Sequence, residues 1–274
     1  MIIRTLAENT SLDGRLGCQH GLSLYIETGD RKALFDMGAD GLFAENALKM
    51  GVDLASVDIA FISHGHSDHA GGLKAFLQMN DKARVYANSR AFEPHFARRG
   101  AGANAFIGLD AGILEGGRLD LAEGSLRIDD RFEIMSESGG EAFRPSGNRD
   151  LLMEQKGQLV EDDFGHEQNL VIHEGSKSVL FAGCAHNGIV NIMEKFNRTY
   201  GRFPDYVIGG FHMYNKSAGT SEDAGFVEAV ASYLLKTGAA FFTCHCTGLE
   251  AYELLKLLMG DRIGYLATGS TLTI

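Results

Sequence analysis

The chain has 274 residues, a length that fits one or two domains and is ample for a sizeable hydrophobic core. Its 25 basic and 36 acidic residues give a net charge of −11, which disfavours nucleic acid and anionic membranes as partners and leaves a small molecule as the expected one. Two ratios need an explanation: 35 glycines stand beside 3 prolines, and 10 histidines beside 4 cysteines.

The cellular location is predicted from the absence of a recognisable secretion signal and of a membrane-spanning segment. The first residues have neither the basic nor the apolar region of a secretion signal, and the apolar runs all fall short of the ~20 residues of a membrane span. Cys244 and Cys246 are only two positions apart, so a disulfide framework is not expected. We expect a cytoplasmic protein with reduced thiols, and the sequence gives no indication of its oligomeric state.

The first third alternates strands with turns and helices. Residues 22–28 have the period-two pattern of a half-buried strand, and residues 32–36 are predicted to be its hairpin partner. Apolar residues recur at helical spacing over 42–50. A buried strand over 57–62 leads into a polar segment and then a helix over 73–79. A strand that runs into a polar loop and a helix is where α/β layers place chemistry.

The remaining chain repeats this pattern after a weakly patterned middle. Residues 88–163 are predicted to form a loop-rich insertion that flanks a site, although 126–128 and 131–135 have strand character. The elements predicted after the insertion are a hairpin over 169–173 and 178–182, a helix over 189–199, a strand over 206–208, a helix over 221–236 and a strand over 239–244. Two similar halves indicate one domain over residues 1–274, built as a sandwich of two sheets between helices.

The polar segment of the first third carries the strongest chemical signal. It reads Ser63-His64-Gly65-His66-Ser67-Asp68-His69 and ends in a glycine pair. Its alternative as a plain surface loop is disfavoured, because imidazoles and a carboxylate this dense are ligands typical of zinc or iron sites. Four side chains so close in sequence cannot all surround one tetrahedral ion, so the spacing suggests two metals: His64 and His66 on one, Asp68 and His69 on the other.

The motif His-x-His-x-Asp-His after an apolar strand resembles the metallo-β-lactamase superfamily. The resemblance implies an α/β fold, an αββα sandwich of two mixed β-sheets flanked by helices, with the site at the edge where loops of both halves meet. It also implies that Asp36, which ends an early strand, supports the metal loop. The last family ligand is a histidine that ends a strand near the C-terminus, and His245 matches it.

The chain departs from the family pattern at Cys184, which stands where the family places a bridging aspartate. A thiolate binds zinc but bridges two ions less readily. His166 matches a family ligand before a strand, yet His186 follows Cys184 at a spacing that can turn it into the site, and we favour His186. His166 is then a supporting or alternative ligand.

Three short motifs resemble one branch of the superfamily. They are Gly-Cys-x-His-x-Gly at 183–188, Gly-Gly-Phe-His at 209–212 and His-Cys-Thr-Gly at 245–248. The branch is named for the synthase of 7,8-dihydropterin-6-methyl-4-(β-ribofuranosyl)aminobenzene 5′-phosphate. By alternation along the last strand, Cys244 and Cys246 are expected to point away from His245 and to pack in the core.

The resemblance implies a metal-dependent hydrolase in which a metal-activated water attacks a small, phosphorylated or pterin-related substrate. Two divalent ions are expected, zinc first and iron or manganese as alternatives. Asp68 and His212 are the expected catalytic residues, with His212 contacting substrate or protonating the leaving group. The expected metal ligands are His64, His66, Asp68, His69, Cys184, His186 and His245.

Three other functions stay open on the sequence alone. A phosphodiesterase or lactonase would use the same ligands. A di-iron oxidoreductase would need a redox domain, for which the sequence has no segment. A sensor domain with a degraded site is suggested by Cys184 and opposed by the intact His64-to-His69 motif.

The choice between the two histidines predicts different metal contents for two variants. His186→Ala is expected to lose more metal per chain than His166→Ala, because only His186 is assigned a direct bond to the metal. Elemental analysis of both purified variants measures this directly. Equal metal content in the two would remove the preference for His186.

Overall fold

The computed structural model describes residues 1–136 and 138–274; residue 137, within the predicted insertion, lies outside the described residues. The strands in chain order are β1 (Ile2–Ala7), β2 (Ser23–Thr28), β3 (Arg31–Phe35), β4 (Ile59–Phe61), β5 (Arg84–Asn88), β6 (His95–Arg98), β7 (Asn104–Phe106), β8 (Leu119–Ala122), β9 (Leu126–Arg127), β10 (Phe132–Ser136), β11 (Leu151–Gln155), β12 (Gln158–Glu161), β13 (Gln168–Glu174), β14 (Lys177–Ala182), β15 (Tyr206–Gly209), β16 (Tyr214–Asn215), β17 (Thr220–Ser221), β18 (Ala240–Thr243), β19 (Ile263–Tyr265) and β20 (Thr271–Thr273). The helices are α1 (Leu42–Lys49), α2 (Ser67–Ala70), α3 (Leu73–Met79), α4 (Ile189–Tyr200), α5 (Ala224–Thr237) and α6 (Leu249–Met259).

These elements form two units. The first comprises Met1–Pro94, Ile107–Glu123 and Leu266–Ile274, and the second comprises His95–Phe106 and Gly124–Tyr265. Each unit contains one seven-stranded sheet. The prediction of a single domain over the whole chain stays a prediction.

The sheet of the first unit has the strand order β20-β1-β2-β3-β4-β5-β8. Its pairs are antiparallel from β20 to β3 and parallel from β3 to β8. Phe43, Leu73 and Phe76 on α1 and α3 are fully buried in the same apolar cluster as Leu34 and Val85 of the strands. The helices therefore cover this sheet through their apolar faces, as the helical spacing predicted.

The sheet of the second unit repeats this design in the order β19-β18-β15-β14-β13-β10-β9. Its pairs are antiparallel from β9 to β14 and parallel from β14 to β19. Its cluster joins Leu180 and Val207 of the strands to Phe196 of α4, Leu234 of α5 and Leu255 of α6. The predicted similarity of the two halves and the α/β class with mixed sheets are confirmed.

The middle segment contains more regular structure than the loop-rich prediction for 88–163. Strands β6, β7, β11 and β12 pair into a small antiparallel sheet of order β12-β11-β6-β7. These strands are short, and β12 and β7 are mostly exposed or half-buried, so they lack the strict alternation by which a strand is identified in a sequence. The strands predicted near 126–128 and 131–135 form β9 and β10.

None of the helices in the described part of the chain combines the length and the apolar character that crossing a membrane requires.

One buried amide ties the connections around α3 to the first sheet. Asn80 is fully buried, and its amide nitrogen donates to the carbonyl oxygens of Leu54 (2.9 Å) and Val57 (2.8 Å). Its carbonyl oxygen accepts from the backbone N–H groups of Lys82 (3.0 Å) and Ala83 (2.7 Å). One side chain thus satisfies polar backbone groups of two connections.

Asn80→Ala is expected to lower the free energy of unfolding by about 2–3 kcal/mol, because it strands buried donors and acceptors. Chemical denaturation measures the change. The neighbouring variant Asp81→Ala, at an exposed position, is the control and is expected to change stability by less than about 0.5 kcal/mol. Equal midpoints for the two variants would contradict the role given to Asn80.

Candidate functional site

In the first unit, two adjacent parallel strands deliver the predicted metal loop. Strands β3 and β4 are parallel neighbours, so their carboxyl ends meet at the same edge of the sheet. Asp36 follows β3, and the Ser63-to-His69 segment follows β4. The ring centroid of His64 lies 4.6 Å from that of His66 and 4.2 Å from that of His69. The structure therefore brings together the three imidazoles that the motif predicted.

A chain of hydrogen bonds fixes the protonation of two of these rings. The carboxylate of Asp36 accepts from the backbone N–H of Ser63 at 2.7 Å and from the Ser63 hydroxyl at 2.7 Å. It also lies 2.6 Å from Nδ1 of His69, which must donate to it. Because the Ser63 hydroxyl donates to Asp36, its oxygen accepts from Nδ1 of His64 at 2.8 Å.

The consequence concerns the opposite nitrogen of each ring. With Nδ1 protonated in the neutral imidazole, Nε2 of His64 and of His69 carries a lone pair. This is the arrangement that orients histidine ligands in metal sites, where the ring N–H away from the ion is held by a carboxylate or its relay. The donor chemistry of the loop thus fits a metal ion.

Asp36 holds this position in an uncommon backbone conformation. It is fully buried with φ 58°, in the left-handed region that residues with a side chain rarely adopt. The turn after it packs against the glycine pair that closes the motif: a Cβ on Gly71 would lie 2.1 Å from the carbonyl oxygen of Ala39, and one on Gly72 would lie 2.2 Å from that of Met37. The pair is therefore needed for the close approach of these two segments.

Asp68 lies at the edge of the loop and is partly accessible. Its Oδ2 is 3.9 Å from Nε2 of His69, a separation at which both atoms can lie ~2.0–2.2 Å from one ion. The same oxygen is 3.0 Å from Nε2 of His20. The side chain of Asp68 is 23% exposed, whereas that of His69 is fully buried.

In the second unit, the parallel strands β14, β15 and β18 gather the other candidates. They are neighbours in the sheet, and their carboxyl ends lie at one edge. Cys184 and His186 follow β14, His212 follows β15, and His245 follows β18. Cys184, His186 and His212 each offer a ligand atom, and these atoms lie within 4.8 Å of one another. The sequence predicted these positions one by one, and the sheet order explains why they meet.

His186 is held so that Nε2 carries a lone pair. Its Nδ1 lies 3.1 Å from Oδ1 of Asn148, an atom that only accepts, while the amide of Asn148 donates to the carbonyl oxygen of His186 at 2.8 Å. Phe164 stacks on the ring with an interplanar angle of 5° and a centroid distance of 4.5 Å. A ring held by Asn148 and Phe164 is suited to coordinate through its remaining nitrogen.

The turn that carries His186 is anchored by a buried carboxylate. Glu167 is 2% exposed and accepts from the backbone N–H groups of His186 (2.6 Å) and Asn187 (3.0 Å). Burial raises the pKa of Glu167 above its usual value, although these hydrogen bonds oppose the rise. The residue after His166 therefore positions the turn of His186, a link that spacing alone does not reveal.

His166 has a different environment. Its Nε2 lies 3.2 Å from Oδ2 of Asp162, and the same oxygen lies 2.9 Å from Nδ1 of His95. Burial favours the neutral acid, but the hydrogen bonds from the two histidines outweigh it and hold the pKa of Asp162 well below its usual range. Nε2 of His166 thus donates to a carboxylate, whereas Nε2 of His186 carries a lone pair. Because a carboxylate also holds the ring of His69, this contact does not exclude His166 as a ligand through its other nitrogen, and the choice of His186 stays a prediction.

Cys246 does not behave as strand alternation predicted. Its sulfur lies within 4.8 Å of ligand atoms of Cys184 and His245, so the expectation that it points away from His245 is wrong. The reason is local: β18 ends at Thr243, His245 takes a left-handed conformation with φ 51°, and residues 245–247 form a 3₁₀ turn. Burial raises the pKa of the Cys246 thiol, but hydrogen bonds with Cys184 and His212 lower it well below its usual value.

The Asp36 relay predicts a loss of metal affinity on substitution. Asp36→Asn keeps the shape but removes the charge that holds the N–H of His69, so metal affinity is expected to fall about 10–100-fold. Competition with a chromogenic chelator measures this. Asp30→Ala, in an exposed turn of the same unit, is the control. Unchanged affinity in Asp36→Asn would show that the relay does not serve a metal.

Comparisons with known proteins agree with the fold and the motif. Residues 16–222 match the family model of the metallo-beta-lactamase superfamily. The chain is 27% identical over 266 residues to an uncharacterised protein of Methanocaldococcus jannaschii, with 94% of each chain covered. It is 29% identical over 270 residues to the 7,8-dihydropterin-6-methyl-4-(beta-D-ribofuranosyl)-aminobenzene-5′-phosphate synthase of the same organism, with 91% of this chain and 88% of the relative covered.

Solved structures have the same fold. A crystal structure of a metal-dependent hydrolase of the beta-lactamase superfamily superposes with a TM-score of 0.82 at 27% identity and covers 100% of this chain and 99% of its own. Zn²⁺-bound PqqB of Methylobacterium extorquens has a TM-score of 0.56 at 10% identity, with 100% of both chains covered, which is a likeness of fold alone. The predicted resemblance to the superfamily and to the branch of the pterin synthase is confirmed: this chain belongs to the metallo-beta-lactamase superfamily.

Proposed function

We propose that this chain is a metal-dependent hydrolase acting on a small substrate with a phosphoryl or ester group. The observation that carries the proposal is the relay from Asp36 through Ser63 to His64 and His69, which leaves Nε2 of both rings as lone-pair donors. A polar surface loop has no need of such a relay, whereas histidine ligands do.

In the first unit the proposed ligands are His64, His66, Asp68 and His69. In the second unit they are Cys184, His186 and His245. Two divalent ions, zinc by preference, would supply a bound water with a lowered pKa and a Lewis acid for the electrophilic centre. Imidazole and thiolate donors outnumber the single carboxylate of the set, and such donors suit zinc better than manganese or magnesium.

The protein's own side chains would then orient and protonate the substrate. Asp68 is the accessible carboxylate of the loop, and His20 holds its Oδ2 at 3.0 Å. His212 has a buried Nδ1 with no hydrogen-bond partner among the described residues, and φ 50° turns its backbone out of regular structure. An imidazole with an open nitrogen is suited to donate a hydrogen bond or a proton to a leaving group.

A pterin-related substrate is the second candidate. Its support is the similarity to the pterin synthase along most of both chains. The three motifs at 183–188, 209–212 and 245–248 lie at the carboxyl ends of adjacent strands in the second unit, so they are the segments through which a substrate preference of this branch would act.

Metal analysis with an activity panel tests the proposal. The purified protein is expected to hold about two zinc ions per chain and to hydrolyse a phosphodiester, a lactone or a phosphorylated dihydropterin. Chelation should abolish the activity and added zinc should restore it, because the water is activated only by the ions. His66→Ala should lose metal and activity, while His173→Ala, at a half-buried histidine of β13, is the matched control.

Two results would count against this reading. A metal-free protein that binds one of these substrates without turnover would favour the sensor function. Bound metal without hydrolysis, but with conversion of a pterin substrate by another reaction, would favour a synthase-like activity.

A variant at His212 distinguishes a residue that contacts substrate from a residue that binds metal. His212→Asn is expected to lower turnover about 10²–10⁴-fold with metal content unchanged, because the lost group is a general acid. Steady-state kinetics and elemental analysis of the purified variant measure the two effects. Loss of metal in this variant would instead make His212 a ligand alongside Cys184 and His186.

A further inference from the structure

The second unit contains a pair of buried thiols on one imidazole. Cys184, His245 and Cys246 each offer one ligand atom, and the three atoms lie within 4.8 Å of one another. The three residues are 3%, 1% and 4% exposed. The family pattern accounts for a ligand at position 184 and for His245, but it gives no role to Cys246.

We propose that Cys246 is a metal ligand, and that Cys184, His245 and Cys246 form a thiolate-rich metal site in the second unit that selects zinc. The inference rests on the metal binding proposed above and adds a donor to it. Two thiolates and one imidazole are a ligand set of structural and catalytic zinc sites. Soft thiolate donors also discriminate against manganese and magnesium, which prefer oxygen ligands.

The backbone around Cys246 is shaped to admit its sulfur. A Cβ on Gly210 would lie 2.3 Å from Sγ of Cys246, so a side chain at this position would displace the thiol. The second glycine of the Gly-Gly-Phe-His motif therefore has a specific function, which is to leave room for the sulfur.

Polar groups of the protein also face this sulfur. The backbone N–H of His212 points at Sγ of Cys246 with a nitrogen-to-sulfur distance of 3.3 Å, and an N–H donor of this kind stabilises a thiolate. The sulfur is also 3.6 Å from the carbonyl oxygen of Cys184, to which it donates as a thiol. Metal binding would replace the thiol proton, as it does for coordinating cysteines generally.

Two threonine hydroxyls hold the turn that carries Cys246. The hydroxyl of Thr247 accepts from the backbone N–H of Phe211 at 2.9 Å, and the hydroxyls of Thr243 and Thr247 are hydrogen-bonded to each other. Thr243 and Thr247 are fully buried. The His-Cys-Thr-Gly motif thus joins its turn to the Gly-Gly-Phe-His segment, which places Sγ of Cys246 beside Gly210 and His212.

Cobalt substitution tests the proposal without an activity assay. The wild-type protein loaded with Co²⁺ should show a thiolate-to-cobalt charge-transfer band, and Cys246→Ala should lower its intensity by about half, since one of two thiolates is lost. Zinc affinity should fall by more than about tenfold in the same variant. Cys244→Ala is the matched control, because Cys244 is fully buried two positions away and is not one of the three grouped residues.

A second experiment uses only the wild-type protein, so it does not depend on how the variants fold. The cysteines are alkylated with and without zinc, and mass spectrometry measures the rate at each one. Zinc should slow the alkylation of Cys184 and Cys246 relative to the chelated protein. A full band and unchanged zinc affinity in Cys246→Ala, or alkylation of Cys246 at equal rates with and without zinc, would overturn this inference and leave the proposed function standing. A wild-type protein that takes up neither cobalt nor zinc would overturn both.

Discussion

The first unit depends on the position of one buried carboxylate. Asp36 receives the backbone N–H and hydroxyl of Ser63 and the ring N–H of His69, and through Ser63 it also sets the tautomer of His64. Burying a charge without such partners would cost several kcal/mol. The uncommon φ of Asp36 and the glycine pair that packs against its turn both follow from the need to bring this group under the loop.

The second unit reaches a comparable result by different chemistry. Its sheet has the same sequence of antiparallel and parallel pairs, so both units place polar residues after adjacent parallel strands. Around Cys184 and His186, orientation comes from neutral partners: Asn148 fixes His186, and the N–H of His212 faces Cys246. The only carboxylate on this turn, among the described contacts, is Glu167, which binds the backbone rather than a ring. Repeated architecture has thus not been accompanied by repeated side chains.

The sequence predicted what is local and missed what is distant. The loop after β4 could be identified because its donors are contiguous, and several strands of both sheets because of their alternation or their β-branched and aromatic residues. Asn148 and His95 lie in a segment of weak periodicity, and their partners His186 and Asp162 are 38 and 67 positions away, so no spacing reveals them. Cys246 was misassigned because one left-handed residue, His245, ends the alternation on which the prediction relied.

The proposed ligands of the two units differ in softness and in exposure. A resident ion must be retained, while a water or substrate oxygen must exchange at it. Thiolates bind zinc tightly, and Cys184 and Cys246 are 3% and 4% exposed, so they are suited to retention. Asp68 is the one carboxylate among the proposed ligands and its side chain is 23% exposed. The thiols of the second unit therefore suit the retention of a soft ion, whereas Asp68 in the first unit is the proposed ligand that is most open to solvent.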